Sequence, residues 1–177
     1  YMLDFFKTAV NLKKIPRQGW IDKLSLNNPE SVADHSYSMA IMSMVISDLE
    51  GYDFEKIMKM VLLHDLAESR IGDYTPEQIN EEEKKNLENN AFEEIVETLP
   101  SSIKSQYLKI WKEYQENISF ESNLIHQIDK LEMALQAKTY QKNTSSKEKV
   151  ETFFESAEIN VTNIKLKKIL VEIMDKE

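Results

Sequence analysis

Apolar residues along this chain recur every three to four positions, and strict alternation of apolar and polar residues is scarce. That periodicity predicts a nearly all-helical protein. A first helix is expected over roughly 3–14, with Phe5, Phe6, Ala9, Val10 and Leu12 as its apolar face. Residues 15–30, which carry Pro16, Gly19 and Pro29, read as irregular. The second helix starts near Ser31 and stops at Gly51, a residue suited to the position just past a helix end. Asp53 can cap a third helix ending near Gly72. Thr75-Pro76-Glu77-Gln78 has the form of a capping box with proline at the first helical position. It predicts a long helix to about Thr98, very acidic at its start. Further helices are expected over about 102–117 and over 120–142, the latter capped by Ser119. A polar loop, Asn143 to Lys147, precedes one short helix. A last helix near 162–175 should turn Ile164, Ile169, Leu170 and Ile173 inward. Internal repeats and low-complexity segments are absent.

The second and third helices are the most apolar. Ala40, Ile41, Met42, Met44, Val45 and Ile46 lie in one, and Ile57, Met60, Val61, Leu62 and Leu63 in the other. Helices apolar on most sides are usually central. The eight methionines read as core filler, since the flexible thioether packs irregular gaps.

Composition bounds what such a bundle can do. A length of 177 residues suits one domain spanning 1–177, with a core over about 3–157 and the last helix packed on it. The chain has no cysteine, so disulfides, thiolate metal sites and cysteine nucleophiles are excluded, and any metal must be held by His, Asp and Glu. Lack of disulfides fits a reducing, cytoplasmic setting. A net charge of −9 argues against a nucleic-acid polymer as partner, which needs a basic face. A small anionic substrate is compatible if a metal and a few local cations offset the field. The stretch His35 to Ser47 is too short to span a bilayer and carries four serines. No signal-peptide pattern is visible, so no membrane association is expected.

Candidate chemistry gathers on His35, His64, Asp65 and Asp129. His35 falls near the start of the second helix, and His64-Asp65 about three turns into the third. Asp129 lies beside the apolar stripe Leu124, Ile128, Leu131 and Leu135. An ionised aspartate there is costly unless a cation or donor meets it. One divalent cation shared by two neutral imidazoles and two carboxylates satisfies all four groups. Blander readings stand beside this one: a hydrogen-bonded core histidine, or Asp129 paired with Lys130 or a lysine elsewhere. Glu68 follows His64 by four residues and shares its helix face, and Asp73 follows Gly72. These two carboxylates could take a proton from an attacking water and protonate a leaving oxygen. Alternatively, Glu68 pairs with Arg70 or a lysine on the surface and Asp73 is a turn residue. His126, one turn before Asp129, is a competing ligand that spacing leaves open.

Taken in order, these residues resemble the H…HD…D signature of the HD-domain metal-dependent phosphohydrolases. The strings Ile15-Pro-Arg-Gln-Gly-Trp20, Pro29-Glu-Ser-Val-Ala-Asp-His35-Ser, Leu63-His-Asp-Leu-Ala-Glu-Ser-Arg-Ile-Gly-Asp73 and Gln127-Ile-Asp-Lys-Leu-Glu132 resemble its 5′-deoxynucleotidase branch over about residues 3–157. The resemblance implies an orthogonal all-helical bundle, usually a homodimer. It implies His35, His64, Asp65 and Asp129 as ligands of a first metal, and Glu68 and Asp73 as catalytic carboxylates that could also hold a second, weaker ion. It implies Arg17 as a phosphate-binding cation and Trp20 as a wall near the sugar. In the bacterial branch the arginine and tryptophan are adjacent, whereas here Gln18 and Gly19 separate them. The donor set suits Mn, Fe, Co, Ni or Zn, and an oxygen-rich outer site suits Mg or Mn. The expected activity is hydrolysis of deoxyribonucleoside 5′-monophosphates. Rival readings are an HD-type phosphodiesterase or nucleoside triphosphate hydrolase, and a catalytically silent helical binding module. A di-iron carboxylate bundle would need paired Glu-x-x-His motifs, which are absent.

Overall fold

The structure, a computed structural model, describes residues 2–175. Its elements are α1 (Met2–Asn11), a 3₁₀ turn (Leu12–Lys14), α2 (Gln18–Leu24), α3 (Val32–Glu50), α4 (Phe54–Leu63), α5 (Glu68–Ile71), α6 (Glu81–Val96), α7 (Ser101–Glu116), α8 (Phe120–Gln141), α9 (Lys147–Asn160) and α10 (Ile164–Asp175). Among the described residues the one β-type pairing is an isolated antiparallel bridge, Pro16 to Ser31. Arg17 N–H donates to Glu30 O, and Val32 N–H donates to Ile15 O.

α8 is the spine. Leu124, Ile125, Ile128, Leu131, Ala134 and Ala137, all buried, line it, and α3, α4, α7, α9 and α10 pack against it. Met39, Ile57, Met60, Phe92 and Leu166 are buried in the same hydrophobic core, and removing such apolar area from water drives folding. Gln127 on α8 accepts hydrogen bonds from the Thr162 and Asn163 backbone N–H groups at 2.8 Å, which seats the start of α10.

Helix ends follow the cap chemistry. Ser31 and Asp34 form a reciprocal capping box on α3. Gly51 closes that helix at φ 68, where any side chain would strain. Asp53 caps α4 and Ser119 caps α8, as the sequence predicts.

Several expectations fail, each for a local reason. Residues 18–24 form α2 despite Gly19, because Trp20 and Leu24 anchor one face in the core. Thr75 and Gln78 do meet, the Thr75 N–H donating to Gln78 Oε1 at 3.0 Å, but the turn does not propagate. Asn80 caps the helix instead, which begins at Glu81. The predicted short helix is α9, with 14 residues. The apolar faces are also narrower than the pattern suggests. Phe6 and Val10 on α1, Ile41 and Val45 on α3, Leu62 on α4, and Ile164 and Ile169 on α10 are exposed. α3 is apolar on two sides: one faces the core, and Tyr37, Ile41, Val45 and Leu49 run at four-residue steps along the other.

The expected third helix is broken at its functional end. α4 stops at Leu63, and residues 64–67 form tight turns. Leu66, Glu68, Ser69 and Arg70 N–H groups all donate to the carbonyl three residues back. This is 3₁₀ spacing, in which residues three apart eclipse. Asp65 and Glu68 therefore align, rather than the His64–Glu68 pair that α-helical spacing would align.

Candidate metal centre and active site

The break after α4 brings His64 and Asp65 to the first turn of α3, where His35 sits, and to Asp129 midway along α8. His35 Nε2 lies 3.1 Å from Asp129 Oδ1 and 3.8 Å from Asp65 Oδ2, and His64 Nε2 lies 3.0 Å from Asp65 Oδ2. His35, His64 and Asp65 each place a donor atom within 4.8 Å of the others. Ligands at neighbouring corners of an octahedral ion with bonds near 2.1 Å stand about 3 Å apart.

Both imidazoles are oriented from behind. His64 Nδ1 donates to Val61 O at 2.6 Å, and His35 Nδ1 meets Glu132 Oε2 at 2.5 Å. Each ring thereby turns Nε2 toward the shared centre, the arrangement by which ligating histidines are usually fixed. Both Nε2 atoms are buried and have no hydrogen-bond partner, although carboxylate oxygens stand close by. Neutral rings there would aim lone pairs at anionic oxygens. A divalent cation resolves that clash, so the donor set fits a metal held by His35, His64, Asp65 and Asp129.

Without a metal, protons must serve. Burial and the Arg17 guanidinium both push His35 down, yet the Asp129 and Glu132 carboxylates lift it to about 9. Burial also works against His64, which the Asp65 carboxylate nevertheless raises. Burial pushes Asp65 and Asp129 up, and the histidines and Arg17 more than reverse it, leaving both far below the usual carboxylate range.

Arg17 leaves the bridge strand at the neck of α2 and stands over this centre. Its Nη1 is 3.9 Å from Asp65 Oδ2 and its Nη2 is 4.0 Å from Asp129 Oδ1. The planar fork faces a cleft of about 350 Å³ lined by Trp20, Asp73, Lys84, Asp129 and Phe153 among others. Trp20 is a buried wall of that cleft, its Nε1 donating to Glu30 Oε1 at 2.9 Å and its ring packed on Phe153 at 4.5 Å.

Asp73 lines the cleft, and the buried Glu68 places its Oε1 3.6 Å from the cleft-lining Lys84 Nζ. Glu68 is 2% exposed and is not a partner of Arg70, which pairs with Glu94 at 2.7 Å. Burial first, then the Asp65 and Asp73 charges, push its carboxyl well above the usual range. Gly72, at φ 82, turns the chain so that Asp73 points back, and Asp73 Oδ2 accepts from Gln18 N–H at 2.8 Å. His126 stands apart: its ring stacks on Tyr114 at 4.1 Å, and its Nε2 donates to Tyr114 O at 3.0 Å.

Two residues of the site escape sequence reasoning. Glu132 orients His35, and its only signal is a position one turn after Asp129. Lys84 Nζ lies 3.6 Å from Glu68, 3.9 Å from Asp73 and 3.6 Å from Glu88. Nothing in the charged run Glu81 to Lys85 distinguishes it.

Comparisons with known proteins agree with this geometry. Residues 9–170 match the HD domain family. A 5′-deoxynucleotidase HDDC2 of Dictyostelium discoideum is 41% identical over 165 residues, 87% of this chain and 86% of the relative. The human protein of that name is 35% identical over 88% of this chain and 76% of its own length. Among solved structures, a conserved hypothetical protein from Pyrococcus furiosus superposes with a TM-score of 0.79 at 29% identity, covering 98% of this chain and 99% of the other. A structure described as a predicted metal-dependent phosphohydrolase from Magnetospirillum magnetotacticum gives 0.73 at 22% identity, over 98% and 89%, and shares the fold. An all-helical fold, the histidine–aspartate centre and relatives matched over most of their length place this chain in the HD-domain family, alongside the 5′-deoxynucleotidase HDDC2 proteins.

Proposed function

We propose that the chain is a metal-dependent phosphomonoesterase that hydrolyses deoxyribonucleoside 5′-monophosphates to deoxynucleoside and phosphate. The observation that carries this reading is the convergence of two unpartnered imidazole nitrogens and two carboxylates beneath an arginine fork. The relatives named 5′-deoxynucleotidase supply the substrate class.

His35, His64, Asp65 and Asp129 hold the cation. When bound, it supplies Lewis acidity that favours ionisation of water and draws charge from the phosphoryl oxygens. Arg17 binds the remaining phosphate oxygens with its fork and keeps phosphorus in line. Glu68, whose environment favours a proton, takes one from the attacking water. Water oxygen bonds to phosphorus as the bond to the 5′-oxygen breaks, and Asp73 helps deliver a proton to that oxygen. Trp20, held by Glu30 and Phe153, walls the sugar side of the cleft.

We further read residues 1–177 as a single domain that pairs as a homodimer. The exposed apolar row Tyr37, Ile41, Val45 and Leu49 on α3 supports the pairing. Among the described residues no helix is long and apolar enough to cross a membrane.

A panel of deoxy- and ribonucleoside mono-, di- and triphosphates, offered to metal-reconstituted protein, tests the activity. Phosphate release from deoxy monophosphates is expected. Folded, metal-loaded protein that releases none sinks the proposal, and pyrophosphate or cyclic-diester products would redirect it to another HD chemistry.

A further inference from the structure

The cleft runs outward from the histidine–aspartate centre, and its far end carries a polar pattern that phosphate hydrolysis does not use. Arg17, Trp20 and Lys23 follow one another at three-residue steps on α2 and its neck, and all three line the cleft. At about 1.5 Å per helical residue, Lys23 starts about 9 Å beyond Arg17. From α9, Thr152, Phe153 and Ser156 line the same cleft. The Phe153 ring marks its far end: Trp20 packs on that ring at 4.5 Å, and Lys23 Nζ lies 5.3 Å from its centroid, within reach of cation–π attraction. The volume of about 350 Å³ is at the small end for small-molecule sites. A nucleotide whose phosphate meets Arg17 and whose sugar meets Trp20 therefore brings its base to Lys23 and α9.

Donors and acceptors are unequal at that end. Lys23 Nζ has three donors and no acceptor. Its ion-pair partner, Glu77 Oε1, stands at 4.0 Å, beyond hydrogen-bond reach, and does not line the cleft. The Thr152 hydroxyl donates to Lys149 O at 2.7 Å, so its proton is engaged. Lys130, also in the lining, acts on the neighbouring Asp129 carboxylate. The carboxylates of the lining, Asp73 and Asp129, belong to the metal end, and no Asn or Gln is among the described lining residues. Side-chain acceptors at the far end are thus limited to the Thr152 and Ser156 hydroxyls. Guanine and adenine share one ring system and differ at its edge by an oxo acceptor against an amino donor, and uracil and cytosine differ in the same way. An ammonium that meets the oxo group makes a charge-assisted hydrogen bond, whereas an amino group in its place sets donor against donor.

We infer that Lys23 is a specificity-determining residue that reads the base, and that the cleft prefers oxo bases (thymine, uracil and guanine) over the amino bases adenine and cytosine. The inference rests on the reading of the cleft as a nucleoside monophosphate site and adds to it the class of base.

The matched pairs dGMP with dAMP and dUMP with dCMP hold size constant and test it. In metal-reconstituted wild type, kcat/KM should favour the oxo member of each pair by about tenfold. Lys23→Met should bring both ratios toward one, and Lys23→Arg, which keeps a charged donor, should retain the preference. Equal ratios in wild type overturn the inference. So does a Lys23→Met variant that loses activity equally on all four substrates, because the lysine then only attracts anions. Calorimetric titration of the metal-free full chain with the same four nucleotides gives a readout without turnover, and the oxo members should bind more tightly there as well. Binding without discrimination defeats this inference alone. Neither binding nor hydrolysis of any monophosphate defeats the reading of the cleft together with it.

Discussion

In the proposed centre, proton and metal compete for the same two nitrogens, and this would make metal affinity steeply dependent on pH. In metal-free protein His35 holds its proton up to about pH 9, against about 6.5 in an unfolded chain. The folded value is raised, so the proton stabilises the fold fully below about pH 6.5, and that contribution disappears as pH climbs through 9. A gap of this size corresponds to on the order of 3 kcal/mol. A divalent ion must displace the same proton. Its affinity should therefore rise about tenfold per pH unit between 7 and 9, roughly a hundredfold in all, and level off above. His64, also raised, steepens the lower part of the curve. Competition against a calibrated chelator at half-unit steps from pH 6.5 to 9.5 measures the slope. Thermal unfolding of the metal-free form over the same range should show the midpoint falling, while the loaded form holds steady. A dissociation constant that stays flat from pH 7 to 9 would refute the assignment of His35 as a ligand that must lose a proton.

Other perturbations separate the parts of the site. Glu132→Gln removes the charge behind His35 and should weaken metal binding about 10- to 100-fold, measured by the same competition; unchanged affinity would mean Glu132 is only structural. Glu68→Gln should lower turnover on a deoxynucleotide by about 10²- to 10⁴-fold while the first metal is retained; activity near wild type would remove Glu68 from proton transfer. Phe92, fully buried and stacked on Trp111 at 4.1 Å, reports on the α6–α7 packing. Phe92→Ala should cost about 3–5 kcal/mol in chemical denaturation, and a loss below about 1 kcal/mol would show that the site collapses around the deletion.

What sequence could and could not foresee divides along physical lines. Caps are local chemistry, so Ser31, Asp53 and Ser119 announce their helices. His35, His64, Asp65 and Asp129 could be listed together because buried charge in an apolar context demands a partner; the fold gathers donor atoms of His35, His64 and Asp65 within 4.8 Å of one another and sets Asp129 3.1 Å from His35. Their role as one centre came into view through resemblance rather than spacing. Exposure was misjudged where a helix is apolar on two sides, as α3 is, since periodicity cannot say which side meets the core. The 3₁₀ break after Leu63 was missed because Leu66, Ala67 and Ser69 carry no breaker. Lys84 and Glu88 were invisible for a different reason: one i, i+4 pair within an acidic helix looks like ordinary surface until α5 and the Asp73 turn are placed over it.

The short bridge between Pro16 and Ser31 also sets where this enzyme can change shape at little cost. Residues 18–29 form a loop clipped at its neck by the Arg17-to-Glu30 and Val32-to-Ile15 hydrogen bonds. Both Arg17 and the capped start of the His35 helix lie at the clip, so their separation does not depend on how much chain the loop contains. Lengthening it by about a third at exposed Asn27 and Asn28 adds only about 0.3 kcal/mol of closure entropy. A tag or reporter grafted there would ride outside the frame that carries the site, whereas a single proline replacing Val32, whose N–H closes the clip, would let Arg17 and His35 drift apart.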